Sequence, residues 1–413
     1  MTSRDHLSKS IVRGCLQGIP LALAFYGVLA SVAVQPAQAQ TFTILHLFTG
    51  AGDGGQPTAG LTMDEAGNLY GTASSGGYTA GPCTGGCGVV FKLTHKSSGW
   101  IFEPLYTFHG PDGDNPEARV IFGPDGALYG TTIFGGPEDE GIVFRLAPSA
   151  HICAHVSCPW TETVLHSFGG GGDGEYPTPG DLTFDRAGNI YGTTQDGGSY
   201  GSGSVYELSP SNGSWAENIL YSFQGSSGDG LSPTAGVIFD DAGSLYGTTF
   251  LGGFNDAGTV YELTHSGSGW TETILHHFST SSGSYGPHGG LVFDSSGNLY
   301  GTTLYAGGGT AYELATSNGV WMFSVLYAFS ATAGSFASAT LDGAGNLYGT
   351  LHFGNQEVFR LTQSNGQWTL TGFNGGPGTF PYGNVILDAA GNLYTTASAG
   401  CGPGAGCVFE ITP

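Results

Sequence analysis

Four aspartates give the first suggestion of chemistry in this 413-residue chain. Asp53, Asp112, Asp173 and Asp229 each begin the phrase Asp-Gly-x-x-Pro. Carboxylates at loop tips are the hard oxygen ligands that Ca²⁺ accepts in irregular geometry. The same pair is also turn chemistry, the Asp side chain capping backbone N–H groups and the Gly taking positive φ. The turn is the simpler explanation, and Ca²⁺ is the one cofactor these residues suggest. A second set is aromatic: Tyr78, Phe134, Tyr200, Phe254 and Tyr305 sit in or beside loops, where rings stack on sugars or pack on protein partners. Catalytic signatures are missing from the sequence. It contains no HExxH, no Walker loop and no zinc-finger spacing. Gly197-Gly198-Ser199-Tyr200-Gly201 satisfies GxSxG, but it lies in a Gly-paired loop and not on a strand-to-helix elbow. With 75 glycines in the chain, such a match is expected by chance, and no catalytic residue is assigned.

The elements that must position these groups come from a repeat. A phrase of the type Gly-Asn-Leu-Tyr-Gly-Thr returns around Tyr70, Tyr129, Tyr191, Tyr246, Tyr300, Tyr348 and Tyr394 at intervals of 46 to 62 residues. A unit of that length cannot bury its apolar faces alone and stacks on its neighbours, which predicts a propeller blade per repeat. In the third repeat, 160–168, 180–185, 189–194 and 204–208 are short β-branched and aromatic runs separated by Gly, Pro, Asp and Ser. They read as the outer strand d and strands a, b and c. The turn between a and b is Asp185-Arg186-Ala187-Gly188, and its Asp reads as a hairpin cap and not as an ion ligand. One ring position on strand d holds His46, His166 and His276 in some repeats and Tyr106, Tyr221 and Tyr327 in others, which reads as packing.

The tryptophans predict how the ring closes. Trp100, Trp160, Trp215, Trp270, Trp321 and Trp368 each lead a d strand, while a seventh d-like run, 41–48, stands alone near the N-terminus. The C-terminus ends on a c strand, so the seventh blade is expected to borrow its d strand from the N-terminal end. The fold class is therefore all-β: a seven-bladed propeller over residues 40–413 with four antiparallel strands per blade.

Residues 1–39 read as a signal peptide: Arg4, Lys9 and Arg13, then an apolar run, then Ala37-Gln38-Ala39. This predicts a secreted or periplasmic protein with no membrane anchor after cleavage. Three of the nine basic residues and one of the 32 acidic ones fall in that leader, leaving six basic against 31 acidic. Six scattered cations cannot track a phosphate backbone, so nucleic acid is excluded as a partner. The remaining cysteines form three local pairs: Cys83 with Cys87, Cys153 with Cys158, and Cys401 with Cys407. Close pairing in an exported chain favours disulfides, with a four-cysteine zinc site as the alternative.

The segments 165–208 and 220–263 carry the pattern LxSFxGxxDGxxPxxGLxFDxxGNLYGTTxxGGxxGxGxVYEL. That pattern resembles the GloVer tandem repeat of exported bacterial proteins and extends over 41–413. The resemblance implies the scaffold and carries no activity; the layout is also similar to kelch and NHL blades. The expectation is a monomeric, non-catalytic binding or structural propeller that recognises a glycan or protein ligand through loops on one face. The alternative is an extracellular metal-dependent lyase or hydrolase at the mouth of the central channel, where His288 and His352 are the histidines expected nearby.

Overall fold

The computed structural model describes residues 40–149, 160–267, 269–280, 284–305, 308–330, 334–352, 358–373 and 380–413. The leader lies outside the described residues. The described chain is a seven-bladed β-propeller of four antiparallel strands per blade. In the third blade Thr183–Phe184 pairs with Ile190–Asp196, that strand with Ser204–Ser211, and Ser204–Ser211 with Ser214–Ser222. The inner strand is shorter than the 180–185 expected from sequence. Its leading carbonyls turn to the preceding blade: Thr193 Oγ1 donates to the Ala235 carbonyl at 2.9 Å, and Thr72, Thr248, Thr302 and Thr350 make the same stitch to Ala118, Gly289, Ala337 and Gly383.

Each residue of the repeated phrase has a physical duty. Tyr191 donates to Asp185 at 3.2 Å and Glu207 at 2.9 Å, fastening strand b to the a–b turn and to strand c. Gly192 admits no side chain, since a Cβ would lie 2.4 Å from the Tyr206 hydroxyl. The tyrosines also meet the next blade's tryptophan edge to face, Tyr70 on Trp160, Tyr246 on Trp321 and Tyr300 on Trp368. The a–b turn Asp is a cap, as expected: Asp64 Oδ1 accepts from Ala66 N and Asn68 N, and Oδ2 from Asn68 Nδ2 and Tyr70 OH. Burial alone would raise the Asp64 carboxyl, but these hydrogen bonds outweigh it and hold the group below the usual range.

The ring closes through the N-terminal strand. Thr41–Leu47 pairs antiparallel with Cys407–Thr412, with Thr41 opposite Thr412 and Leu47 opposite Cys407. Tyr394 of the seventh blade packs on Trp100 of the first at 6.2 Å, and Thr396 Oγ1 donates to the Ala59 carbonyl.

Two of the three expected cysteine pairs are disulfides in the structure. Cys83 is bonded to Cys87 and Cys401 to Cys407, the chemistry of an oxidising compartment. The third pair, Cys153 and Cys158, lies outside the described residues. Among the described residues no helix is long and apolar enough to cross a membrane.

Candidate functional site

The inner strands of all seven blades converge on one cavity of about 480 Å³ at the channel mouth. That size lies within the roughly 300–1,000 Å³ typical of small-ligand sites. Its side chains come largely from one column of the repeat, the residue after the proline that leads into strand a. The column reads Thr58, Glu117, Thr178, Thr234, His288 and Tyr382, with Phe336 following Ser335 in the sixth blade. Two positions later the usual residue is small, as at Gly60, Gly180 and Gly290, but Arg119 and Asn384 interrupt the pattern, and Asp181 follows Gly180 in the third blade.

These exceptions give the mouth two unlike arcs. On one side Arg119 and Asp181 form a bidentate pair between the second and third blades, with Nε to Oδ1 at 3.1 Å and Nη2 bonded to Oδ2. Burial alone would lower the guanidinium, but Asp181 outweighs it and keeps Arg119 charged. Glu117 stands beside them, and burial raises its carboxyl above the usual range. Gln56 and Gln195 complete this hydrogen-bonding arc. Opposite lies an aromatic arc from the fifth to seventh blades. Phe336 packs on Tyr382 at 4.9 Å, His352 on Tyr382 at 4.2 Å, and His288 meets Phe336 edge to face at 5.0 Å. His288 Nδ1 lies 3.1 Å from the Phe336 carbonyl, which fixes the ring, and burial lowers the pKa of both histidines so that they are neutral.

Of the two histidines expected near the mouth, His288 lines it and His352 stands behind the lining, packed on Phe336 and Tyr382. The five loop aromatics stand in the b–c loops. Phe254 and Tyr200 are the most exposed, at 74% and 61%. Four of the five lean on a neighbouring ring: Tyr78 on His109, Phe134 on Tyr176, Phe254 on His277 and Tyr305 on Tyr285. Beside them the second and third blades gather acid. Burial and then Asp139 raise Asp114, while burial and then Glu175 raise Asp196 and Glu140.

The four loop aspartates each close their own loop. Asp53 accepts from Thr49 N, Asp112 from His109 N, Asp173 from Gly169 N and Asp229 from Gln224 N. Each also reaches the ring position of the preceding d strand: His46 at 3.2 Å, Tyr106 at 2.5 Å, His166 at 3.3 Å and Tyr221 at 3.2 Å. Sequence reasoning treated that ring position and the Asp-Gly loop as separate features. Glu117, Arg119, Asp181, Tyr382 and Asn384 were also missed, although the column after proline was a readable signal.

A seven-bladed propeller with a mixed polar and aromatic mouth defines the class. The sequence matches the Gloeobacter/Verrucomicrobia repeat over residues 25–183, 155–357 and 268–413, and the chain belongs to that family. No curated protein matches it. Among solved structures it is similar to an ulvan lyase of polysaccharide lyase family PL25, with 10% identity, TM-score 0.53, and 90% of this chain and 95% of that one covered. It is also similar to a candidate 6-phosphogluconolactonase from Bacteroides uniformis, with 17% identity, TM-score 0.52, and 80% and 89% covered. At these identities the likeness is one of fold.

Proposed function

We propose that this propeller binds a neutral glycan, one end of which enters the channel mouth. The observation that carries the reading is the pairing of an aromatic arc (His288, Phe336, Tyr382) with a hydrogen-bonding arc (Gln56, Arg119, Asp181, Gln195) around one cavity. A sugar presents an apolar ring face and a circumference of hydroxyls, which such a mouth matches on both sides. Charge selects against an acidic ligand. Arg119 is spent on Asp181, and Glu117 adds no attraction for an anion. The loop aromatics Tyr200 and Phe254 stand above the same face and extend the surface for a longer chain.

Binding without turnover is the reading favoured by how the groups are engaged. Arg119 and Asp181 neutralise each other, and one nitrogen of His288 is held by a backbone carbonyl. Glu117 supports the second reading, a lyase or hydrolase, because burial raises its carboxyl beside Tyr382, as a proton donor requires. The ulvan lyase acts on a polysaccharide, and its structure has been described with a GlcA(1-4)Rha3S saccharide. Calorimetry with neutral and uronate-containing oligosaccharides tests both readings. The binding proposal predicts saturable binding of a neutral oligosaccharide that weakens at least about tenfold in Tyr382→Ala, with product analysis showing the saccharide intact. Cleavage that disappears in Glu117→Gln would replace it with the enzyme reading.

A further inference from the structure

Outside the mouth, the repeat builds a second kind of site at the outer ends of the blades, between neighbouring d strands. Three positions meet there: the ring residue of one d strand, the Asp of the following loop, and the residue two past the tryptophan of the next d strand. Between the first and second blades these are Tyr106, Asp112 and Glu162, and between the third and fourth Tyr221, Asp229 and Glu272. A tyrosine closes both with hydrogen bonds, Tyr106 to Asp112 at 2.5 Å, and Tyr221 to Asp229 at 3.2 Å and Glu272 at 3.0 Å. Where a phenylalanine replaces the glutamate, the ring residue is a stacked histidine, His46 on Phe102 and His276 on Phe323, both at 3.9 Å.

The junction of the second and third blades differs from all of these because it combines histidine with both carboxylates, His166, Asp173 and Glu217. His166 Nε2 is 3.3 Å from Asp173 Oδ1 and 3.6 Å from Glu217 Oε1. His166 Nε2 and Glu217 Oε1 are shut off from solvent. Burial, and then a hydrogen bond shared with Asp173, pushes the Glu217 carboxyl up to about 9, so a cation entering here displaces that proton. Their side chains are only 17% and 13% exposed. Asp173 Oδ2 is taken by Gly169 N at 2.6 Å, which fixes the carboxylate and leaves Oδ1 turned to the histidine.

We propose that His166, Asp173 and Glu217 form a binding site for a divalent transition-series cation such as Zn²⁺, clamping the second blade to the third. The two spacings from His166 are those of coordination edges. Ligand atoms about 2.1 Å from a tetrahedral metal stand about 3.4 Å apart, whereas N–H···O hydrogen bonds close to about 2.9 Å. One nitrogen and two carboxylate oxygens are a zinc-type donor set that leaves a fourth position for water, and the imidazole distinguishes it from an all-oxygen calcium site. The second triple of such residues among those described, Cys83, Cys87 and Asp114, is closed to metal by its disulfide.

The repeat supplies variants that the fold already tolerates. His166→Tyr copies the tyrosine junctions, and Glu217→Phe copies the His–Phe stacks. The test is calorimetric titration of the chelator-treated full chain with ZnCl₂, paired with thermal melting. The expected result is one Zn²⁺ bound per chain with a rise in Tm. Affinity then falls at least about a hundredfold in either variant and stays unchanged in His265→Gln, an exposed histidine elsewhere. The proposal is overturned by a wild-type chain that shows no saturable binding, or by folded variants that bind Zn²⁺ as tightly as wild type.

Discussion

Two columns of the repeat change residue from blade to blade, one at the inner end of the blades and one at the outer. At the outer end the changes come in matched sets: glutamate faces tyrosine or histidine with an Asp loop, and phenylalanine faces a stacked histidine. At the inner end the residues after proline run through Thr58, Glu117, His288 and Tyr382 with little matching, apart from the Arg119–Asp181 pair nearby. Matched variation is what packing between neighbours requires, since an unmatched buried group is costly. Unmatched variation that faces one cavity is free to serve a ligand. The outer end should therefore answer to measurements of stability and the inner end to measurements of binding.

The sharpest way to break that division is to remove the outer strand that closes the ring. Deleting residues 40–48 strips the seventh blade of its fourth strand and exposes the edge Cys407–Thr412. The expected result in a thermal melt is a fall in Tm of more than about 10 °C or loss of the cooperative transition, as several kcal/mol of packing goes with it. An unchanged Tm would mean that the clasp contributes nothing.

A smaller effect is expected at the inter-blade stitches. Thr193→Val removes the hydroxyl that serves the Ala235 carbonyl and leaves that buried acceptor unpaired. Denaturant unfolding should register a loss of about 1–3 kcal/mol. A pH effect of comparable size is expected at the outer end. Glu272 is buried beside Asp229, and its carboxyl is pushed up to about 8. The unfolded chain gives up that proton near the ordinary glutamate range while the folded one keeps it, so stability falls as pH rises from about 5 to 8. Glu272→Gln should flatten that fall in Tm against pH; an equally steep profile would show that other groups set it. The least effect on stability belongs to the mouth, where Gln195→Ala should stay within about 0.5 kcal/mol of wild type while weakening glycan binding.

The blades, the closure and the disulfides of Cys83 with Cys87 and Cys401 with Cys407 were legible because they rest on spacing, which a repeat displays seven times. The signs were local: a Trp leading each d strand, a c strand at the C-terminus and paired cysteines. The mouth was less legible because each of its residues appears once. Glu117 and Tyr382 belong to different blades and become a site only when the ring brings the inner strands together. The outer triads were obscured for another reason. His166 and Tyr106 look interchangeable as rings, and their partners Glu217 and Glu162 lie on the next blade, more than fifty residues on, so each triad forms only when the blades pack.

Thermal melting of the wild-type chain and of Tyr382→Ala, each with and without a neutral oligosaccharide, tests the central claim most directly. The account predicts equal Tm values for the two proteins without saccharide, a rise in wild type with saccharide, and none in the variant. An equal rise in Tyr382→Ala, with the rise lost instead in Phe254→Ala or Tyr200→Ala, would move the binding surface from the mouth to the loops.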